Sequence, residues 1–174
     1  MTPTRPIIIA GFMGSGKTII AESLARKLKC AFVDLDHQIT LNIGRSPKEI
    51  IENDGEQSFR EIETRILEEV LRNGAARVIA LGGGAWPVQG NQDLISKYNG
   101  ITVWLDVPFE VCWERIQTKT GERPLAADRD RAELLYAARH PHYARAELRL
   151  KLAANDSVEQ IANEIAKIIP GSYE

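Results

Sequence analysis

The segment Gly11-Phe12-Met13-Gly14-Ser15-Gly16-Lys17-Thr18 fits the spacing G-x-x-x-x-G-K-[ST], and it follows directly on the apolar run Ile7-Ile8-Ile9-Ala10. Beyond it, Ile20, Leu24 and Leu28 recur at the spacing of an amphipathic helix, here Lys17 to Leu28. A buried strand, a glycine-rich loop and a helix in that order commit the chain to an α/β fold carrying a phosphate-binding loop. The glycines let backbone N–H groups turn inward around phosphate oxygens, and the helix directs the positive end of its dipole to the same place. The spacing therefore implies a nucleoside triphosphate site built from Gly11, Met13, Gly14, Ser15, Gly16, Lys17, Thr18 and Ile19. Lys17 is expected to bridge the β- and γ-phosphates, and Thr18 to offer its hydroxyl to Mg²⁺, which favours oxygen ligands and retains several waters.

The rest of the chain alternates strand-like and helix-like segments, the pattern of a parallel sheet with helices on both faces. Strands are expected at Ile7–Ala10, Ala31–Val33, Arg77–Leu81, Ile101–Leu105 and Leu148–Leu152. Between the second and third lies a polar, helix-rich stretch to about Leu71, in which Ser46 can cap a helix and Pro47 can occupy its first position. Further helices are expected from near Pro108 to Gln117 and from Ser157 to Ile169. With 174 residues, 44% of them hydrophobic, there is length for one core but not comfortably for two, so a single domain over residues 1–174 is expected. A net charge of −2 supplies no electrostatic reason to bind nucleic acid. No run approaches the roughly 20 apolar residues of a membrane span, and no leader precedes the first strand; a cytoplasmic monomer is the expectation. Cys30 and Cys112 have neither redox nor zinc spacing and read as packing thiols.

In open α/β sheets ligands gather outside the carboxyl ends of the strands. That rule selects Asp34-Leu35-Asp36, Gly82-Gly83-Gly84 and Ala154-Asn155 beside the phosphate loop. Asp34 and Asp36, two apart in an extended segment, would face the same side. One could hold a metal through water and the other accept a hydrogen bond from a hydroxyl to be phosphorylated; alternatively either one caps the next helix. Three consecutive glycines suggest close approach of a ligand to the backbone, with a permissive loop as the alternative. Arg60, Arg123 and Arg139 stand in distinctive local contexts, whereas arginines such as Arg72 and Arg145 read as solvated charges.

Taken together, GFMGSGKT, the D-x-D of Asp34 and Asp36, GEQSFREIE from Gly55 to Glu63, ALGGGA around Gly83, ERPL around Arg123 and R-x-P-x-Y from Arg139 to Tyr143 resemble the shikimate kinase family. The resemblance runs from about Ile8 to Tyr143. It implies a nucleoside-monophosphate-kinase-like fold of three layers, with a five-stranded parallel sheet in the order 2-3-1-4-5. It also implies transfer of the γ-phosphoryl group of ATP to the 3-hydroxyl of shikimate, a step toward chorismate and the aromatic amino acids. On the matching positions, Asp36 would hold the acceptor hydroxyls, Arg60 and Arg139 would grip the carboxylate, Glu63 would orient Arg60, and the backbone around Gly82, Gly83 and Gly84 would meet the substrate. Asp34 would join Thr18 around Mg²⁺, and Arg123 would reach the phosphates from a lid at about residues 117–127. The acceptor-binding region would span about residues 34–63. Lys17, Asp36 and Arg123 are the catalytic candidates, and Arg115 is a possible adenine contact. Ile19, Ala126, His140 and His142 depart from the family pattern near nucleotide, lid and carboxylate grip. Two alternatives are a kinase of another small hydroxy acid such as gluconate, and a nucleotide-binding regulator without catalysis.

Overall fold

The computed structural model describes residues 5–118 and 128–169. Its centre is β1 (Ile7–Ala10), whose four side chains are all fully buried. A strand buried on both faces needs apolar neighbours on both sides, and β1 has them. It pairs in parallel with β3 (Val78–Ala80), Ile7 facing Val78, and with β4 (Ile101–Asp106), Ile7 facing Ile101. The outer strands are β2 (Phe32–Asp34), beside β3, and β5 (Leu148–Lys151), beside β4. β5 alternates, with Leu150 buried and Arg149 and Lys151 exposed, as an edge strand can. The sheet is wholly parallel in the order β2-β3-β1-β4-β5.

Parallel neighbours require crossovers, and these supply the helices: α1 (Lys17–Leu28), α2 (Leu35–Ile43), α3 (Pro47–Asp54), α4 (Glu56–Asn73), α5 (Gln89–Lys97), α6 (Phe109–Gln117), α7 (Arg129–Tyr143) and α8 (Val158–Ile168). The crossover from β1 to β2 runs toward one edge and that from β3 to β4 toward the other. Right-handed connections therefore put their helices on opposite faces. The contacts of α1 with α8, and of α4 with α2, α3 and α5, follow that division. Because the direction reverses between β1 and β3, their crossovers leave toward opposite edges, and the carboxyl end of this strand pair is the place for a ligand crevice. Among the described residues no helix is long and apolar enough to cross a membrane.

All five expected strands are present, within one or two residues. Ser46 and Glu49 form a complete capping box on α3, with Pro47 in the first turn, and Ser157 and Gln160 do the same for α8. The D-x-D segment differs from expectation: β2 ends at Asp34 and α2 begins at once, so Asp36 lies in the first helical turn rather than in an extended segment. Two helices were not foreseen. α5 contains Gly90 and Asn91, poor helix formers with little periodic signal, and α7 carries Pro141 inside its last turn. Cys112 is completely buried and its Sγ donates to the Val107 carbonyl at 3.8 Å, while Cys30 packs half-buried against the core.

Leu24 on α1 is completely buried, whereas Ile168 is 41% exposed. Leu24→Ala is expected to cost about 2–5 kcal/mol of unfolding free energy, and Ile168→Ala about 0.5 or less, measured as urea midpoints.

Candidate active site

The loop after β1 turns on two left-handed glycines. Gly14 has φ 80°, and a Cβ there would lie 2.6 Å from the Cys112 carbonyl oxygen, so backbone of α6 occupies the space a side chain needs. Gly16, at φ 89°, caps α1. Lys17 follows, largely buried, with Nζ donating to the Phe12 carbonyl at 2.9 Å. This folds the lysine back over its own loop, the place from which an ammonium meets phosphate oxygens. The Thr18 hydroxyl donates to Asp34 Oδ2 at 2.5 Å. Asp34 Oδ1 accepts from the His37 backbone N–H at 3.0 Å and thereby caps α2. The capping reading of Asp34 therefore holds: one oxygen starts a helix, and the other accepts from the phosphate-loop threonine.

Across the crevice, the three glycines after β3 owe their identity to space. None of them has a left-handed φ. A Cβ on Gly82 would lie 2.7 Å from Asp36 Oδ1 and 3.1 Å from Glu63 Oε1, and one on Gly83 would lie 3.1 Å from the Met13 backbone nitrogen. On Gly84 it would collide with Arg60 Nη2 and sit 2.7 Å from Arg139 Nη2. The glycines thus let the acidic pair, the phosphate loop and the arginine pair close in.

Arg60 and Glu63 lie one turn apart on α4, with Nη1 donating to Glu63 Oε2 at 2.8 Å and Nη2 to Glu56 Oε1 at 3.3 Å. Burial would lower the Arg60 pKa, but the charges and hydrogen bonds of Glu63 and Glu56 carry it above its ordinary value. Arg139 arrives from α7 and is also buried; burial and the Arg60 charge depress its pKa, with Tyr143 opposing. Tyr143, one turn on, donates its hydroxyl to the Gly83 carbonyl. No carboxylate lies within ion-pair distance of Arg139 among the described residues. Two guanidinium forks that converge on Gly84, the Arg139 one without a carboxylate partner among the described residues, suit a planar carboxylate. Glu63 is completely buried; burial outweighs the Arg60 charge and pushes its pKa to about 7. Its Oε1 has no hydrogen-bond partner.

These groups line one cleft of about 920 Å³. Of the residues expected there, Met13, Gly14, Gly16, Lys17, Thr18, Ile19, Asp34, Asp36, Arg60, Glu63, Gly82, Gly83, Gly84 and Arg139 line it. Gly11 and Ser15 are buried beneath the loop and do not. Arg123, Ala126 and most of the expected lid lie outside the described residues. Arg115 on α6 donates to the Gly14 carbonyl at 3.2 Å and lines the cleft at its phosphate-loop end. Pro47, Lys48 and Phe59 also line it, although none of them was expected as a site residue. Ala154 and Asn155 do not line it, nor do His140 and His142. His140 packs edge-on against Trp104, and the His142 carbonyl accepts from Trp86 Nε1. No group of three His, Cys, Asp or Glu side chains among the described residues could hold a metal unaided. The Thr18 and Asp34 oxygens instead suit Mg²⁺, which is commonly held by one or two protein oxygens together with nucleotide phosphates and water.

Gly84→Ala should leave the fold intact, because the atoms its methyl meets most closely are the guanidinium ends of Arg60 and Arg139 rather than backbone. It is expected to weaken binding of shikimate, the acid implied by the motifs, by about tenfold or more in calorimetry. Glu63 supports a pH test. Its folded pKa is raised from 4.5 to about 7, so folding takes up a proton between those values. The stabilisation is complete below the unfolded value and is lost as pH rises through the folded one. Relative to Glu63→Gln, the wild-type urea midpoint should fall between pH 5 and about 7.5 and level off above; parallel profiles would contradict the assignment.

Comparison with known proteins gives a consistent picture. The sequence model of the shikimate kinase family matches residues 13–170. The shikimate kinase of Cereibacter sphaeroides is 36% identical over 168 residues, covering 95% of this chain and 82% of that one. That of Ruegeria pomeroyi is 37% identical over 164 residues, covering 92% and 83%. Among solved structures, shikimate kinase from Acinetobacter baumannii in complex with shikimate superposes with a TM-score of 0.87 at 32% identity, covering 95% of this chain and 93% of that one.

Proposed function

The chain belongs to the shikimate kinase family and is an ATP-dependent kinase, and we propose that the cleft holds ATP along the phosphate loop and shikimate against the arginine pair. The observation that carries this reading is the opposition of two charge-selective ends within one cleft. Lys17 and Thr18 stand at one end, the Arg60 and Arg139 forks at the other, and Asp36 is packed against Gly82.

The backbone of Gly14 and Gly16, the N-terminus of α1 and Lys17 bind the triphosphate, and Arg115 flanks the nucleotide beside Gly14. Arg60 and Arg139 take the shikimate carboxylate bidentately, Glu63 holds the Arg60 fork in orientation, and Gly83 offers backbone to the ring. Fixing the carboxylate selects one ring hydroxyl among three to face Asp36. The acceptor oxygen then forms its bond to the γ-phosphorus as the bond to the β-phosphate oxygen breaks, leaving ADP and shikimate 3-phosphate. The transition state is loose, so alignment and charge neutralisation contribute more than removal of the hydroxyl proton, which Asp36 accepts late. Mg²⁺, held by Thr18 and by Asp34 through water, would neutralise phosphate charge. Arg123, which lies outside the described residues, would add positive charge at the γ-phosphate, as the resemblance implies. All the proposed residues come from one chain, within a single domain over residues 1–174 whose acceptor region spans about residues 34–63, and the reading is of a monomer acting in the cytoplasm.

The test is ADP release by the purified protein with Mg·ATP and, separately, shikimate, quinate, gluconate, AMP or no acceptor. Release that depends on shikimate is expected, with Arg60→Lys and Arg139→Lys each raising the KM for shikimate at least tenfold and changing that for ATP less than about twofold. Release with gluconate or AMP instead, or with none of the acceptors, would overturn the reading.

A further inference from the structure

A chain of buried polar contacts links the elements that carry the two arginines, and it runs through a residue outside the cleft. Asn91, on α5, is completely buried. Its Oδ1 accepts from the Thr64 hydroxyl at 2.8 Å, and its Nδ2 donates to the Ala85 carbonyl at 2.8 Å. The carbonyl can only accept, which fixes the orientation of the amide. Thr64 follows Glu63 on α4, and Ala85 follows Gly84. The next residue of α5 continues the chain: Gln92 Nε2 donates to the Trp86 carbonyl at 2.8 Å, and Trp86 Nε1 donates to the His142 carbonyl on α7 at 2.9 Å. α7 is the helix of Arg139.

We infer that Asn91 is a positioning residue for the acid substrate, setting the spacing between Arg60 on α4 and Gly84 through its two hydrogen bonds. This inference rests on the reading that the two arginines hold the substrate carboxylate. Apolar packing resists separation of α4, α5 and the glycine loop but tolerates sliding, because dispersion is not directional. A buried amide with a fixed donor and a fixed acceptor resists sliding, since misalignment leaves polar groups unpaired away from water. The register matters at Gly84, where the two Nη2 atoms already occupy the space of a methyl group. Bidentate recognition degrades steeply with small displacement of either fork. Asn91 does not line the cleft, so its effect on the acid passes through the loop and α4.

The test compares Thr64→Val, which keeps the shape and removes the hydroxyl, Asn91→Leu, and Thr64→Ser, which keeps the hydroxyl. Shikimate Kd by calorimetry, KM for shikimate and for ATP, kcat and Tm are measured for each. Thr64→Val and Asn91→Leu are expected to weaken shikimate binding about tenfold, with KM for ATP within twofold of wild type. The double variant should be no weaker than Asn91→Leu alone, because both remove the same bond. Thr64→Ser should restore wild-type affinity. Leu24→Ala, a core change remote from the cleft, controls for lost stability. If Thr64→Val shifts shikimate affinity no more than Leu24→Ala while Arg60→Lys and Arg139→Lys do shift it, the positioning role is overturned and the carboxylate grip stands. If the arginine variants also leave affinity unchanged, both fall.

Discussion

The pairing of β1 with β3 brings two glycine-rich loops to the same end of the sheet, and the distance between them governs the rest of the cleft. Ile9 faces Ala80 in that ladder, so both strands end at one level and their loops must pass each other. They do so with the Met13 nitrogen 3.1 Å from where a Gly83 side chain would begin. Were the loops further apart, the phosphate site and the arginine pair would belong to separate surfaces. Because they touch, Lys17, Asp36 and the two guanidinium groups share one enclosure.

Enclosure sets the electrostatics. Arg60 and Arg139 are drawn from water together, and a single buried carboxylate, Glu63, balances part of their charge. Burial drives the Arg139 and Glu63 pKa values in opposite directions, each toward the neutral form. A site with that strain favours an incoming carboxylate, which offers the forks the acceptors that water no longer provides. The same dry surroundings strengthen the attraction between Lys17 and phosphate at the other end.

The sequence made some of this legible because the signals were local. Ile7–Ala10 and Ile101–Leu105 read as strands because doubly buried parallel strands are continuous apolar runs. The phosphate loop announced itself through glycines whose φ values the loop requires. Asp34 and Asp36 were picked out and both line the cleft, but their geometry was not foreseen, since an immediate helix start after β2 leaves no periodic mark. The glycines at positions 82–84 were noticed, but one physical reason for them was not: Asp36, Glu63, Arg60, Arg139 and the Met13 backbone press on them, a fact that no local pattern contains. α5 and α7 escaped notice because Gly90 and Pro141 argue against a helix that tertiary packing enforces. The Thr64 to Asn91 contact joins residues 27 positions apart and exists only once the crossover from β3 to β4 has closed.

The hydrogen bond from Thr18 to Asp34 carries a consequence for how an ion is received. A hydroxyl has one proton to give and two lone pairs to share, and Asp34 takes the proton. The hydroxyl's lone pairs are left for another partner, and the capped first turn of α2 keeps the carboxylate from swinging away. Rotational freedom that a free threonine would surrender on meeting a cation has already been given up during folding. The orientation of that hydroxyl is thus inherited from the way a helix begins sixteen residues downstream of the threonine.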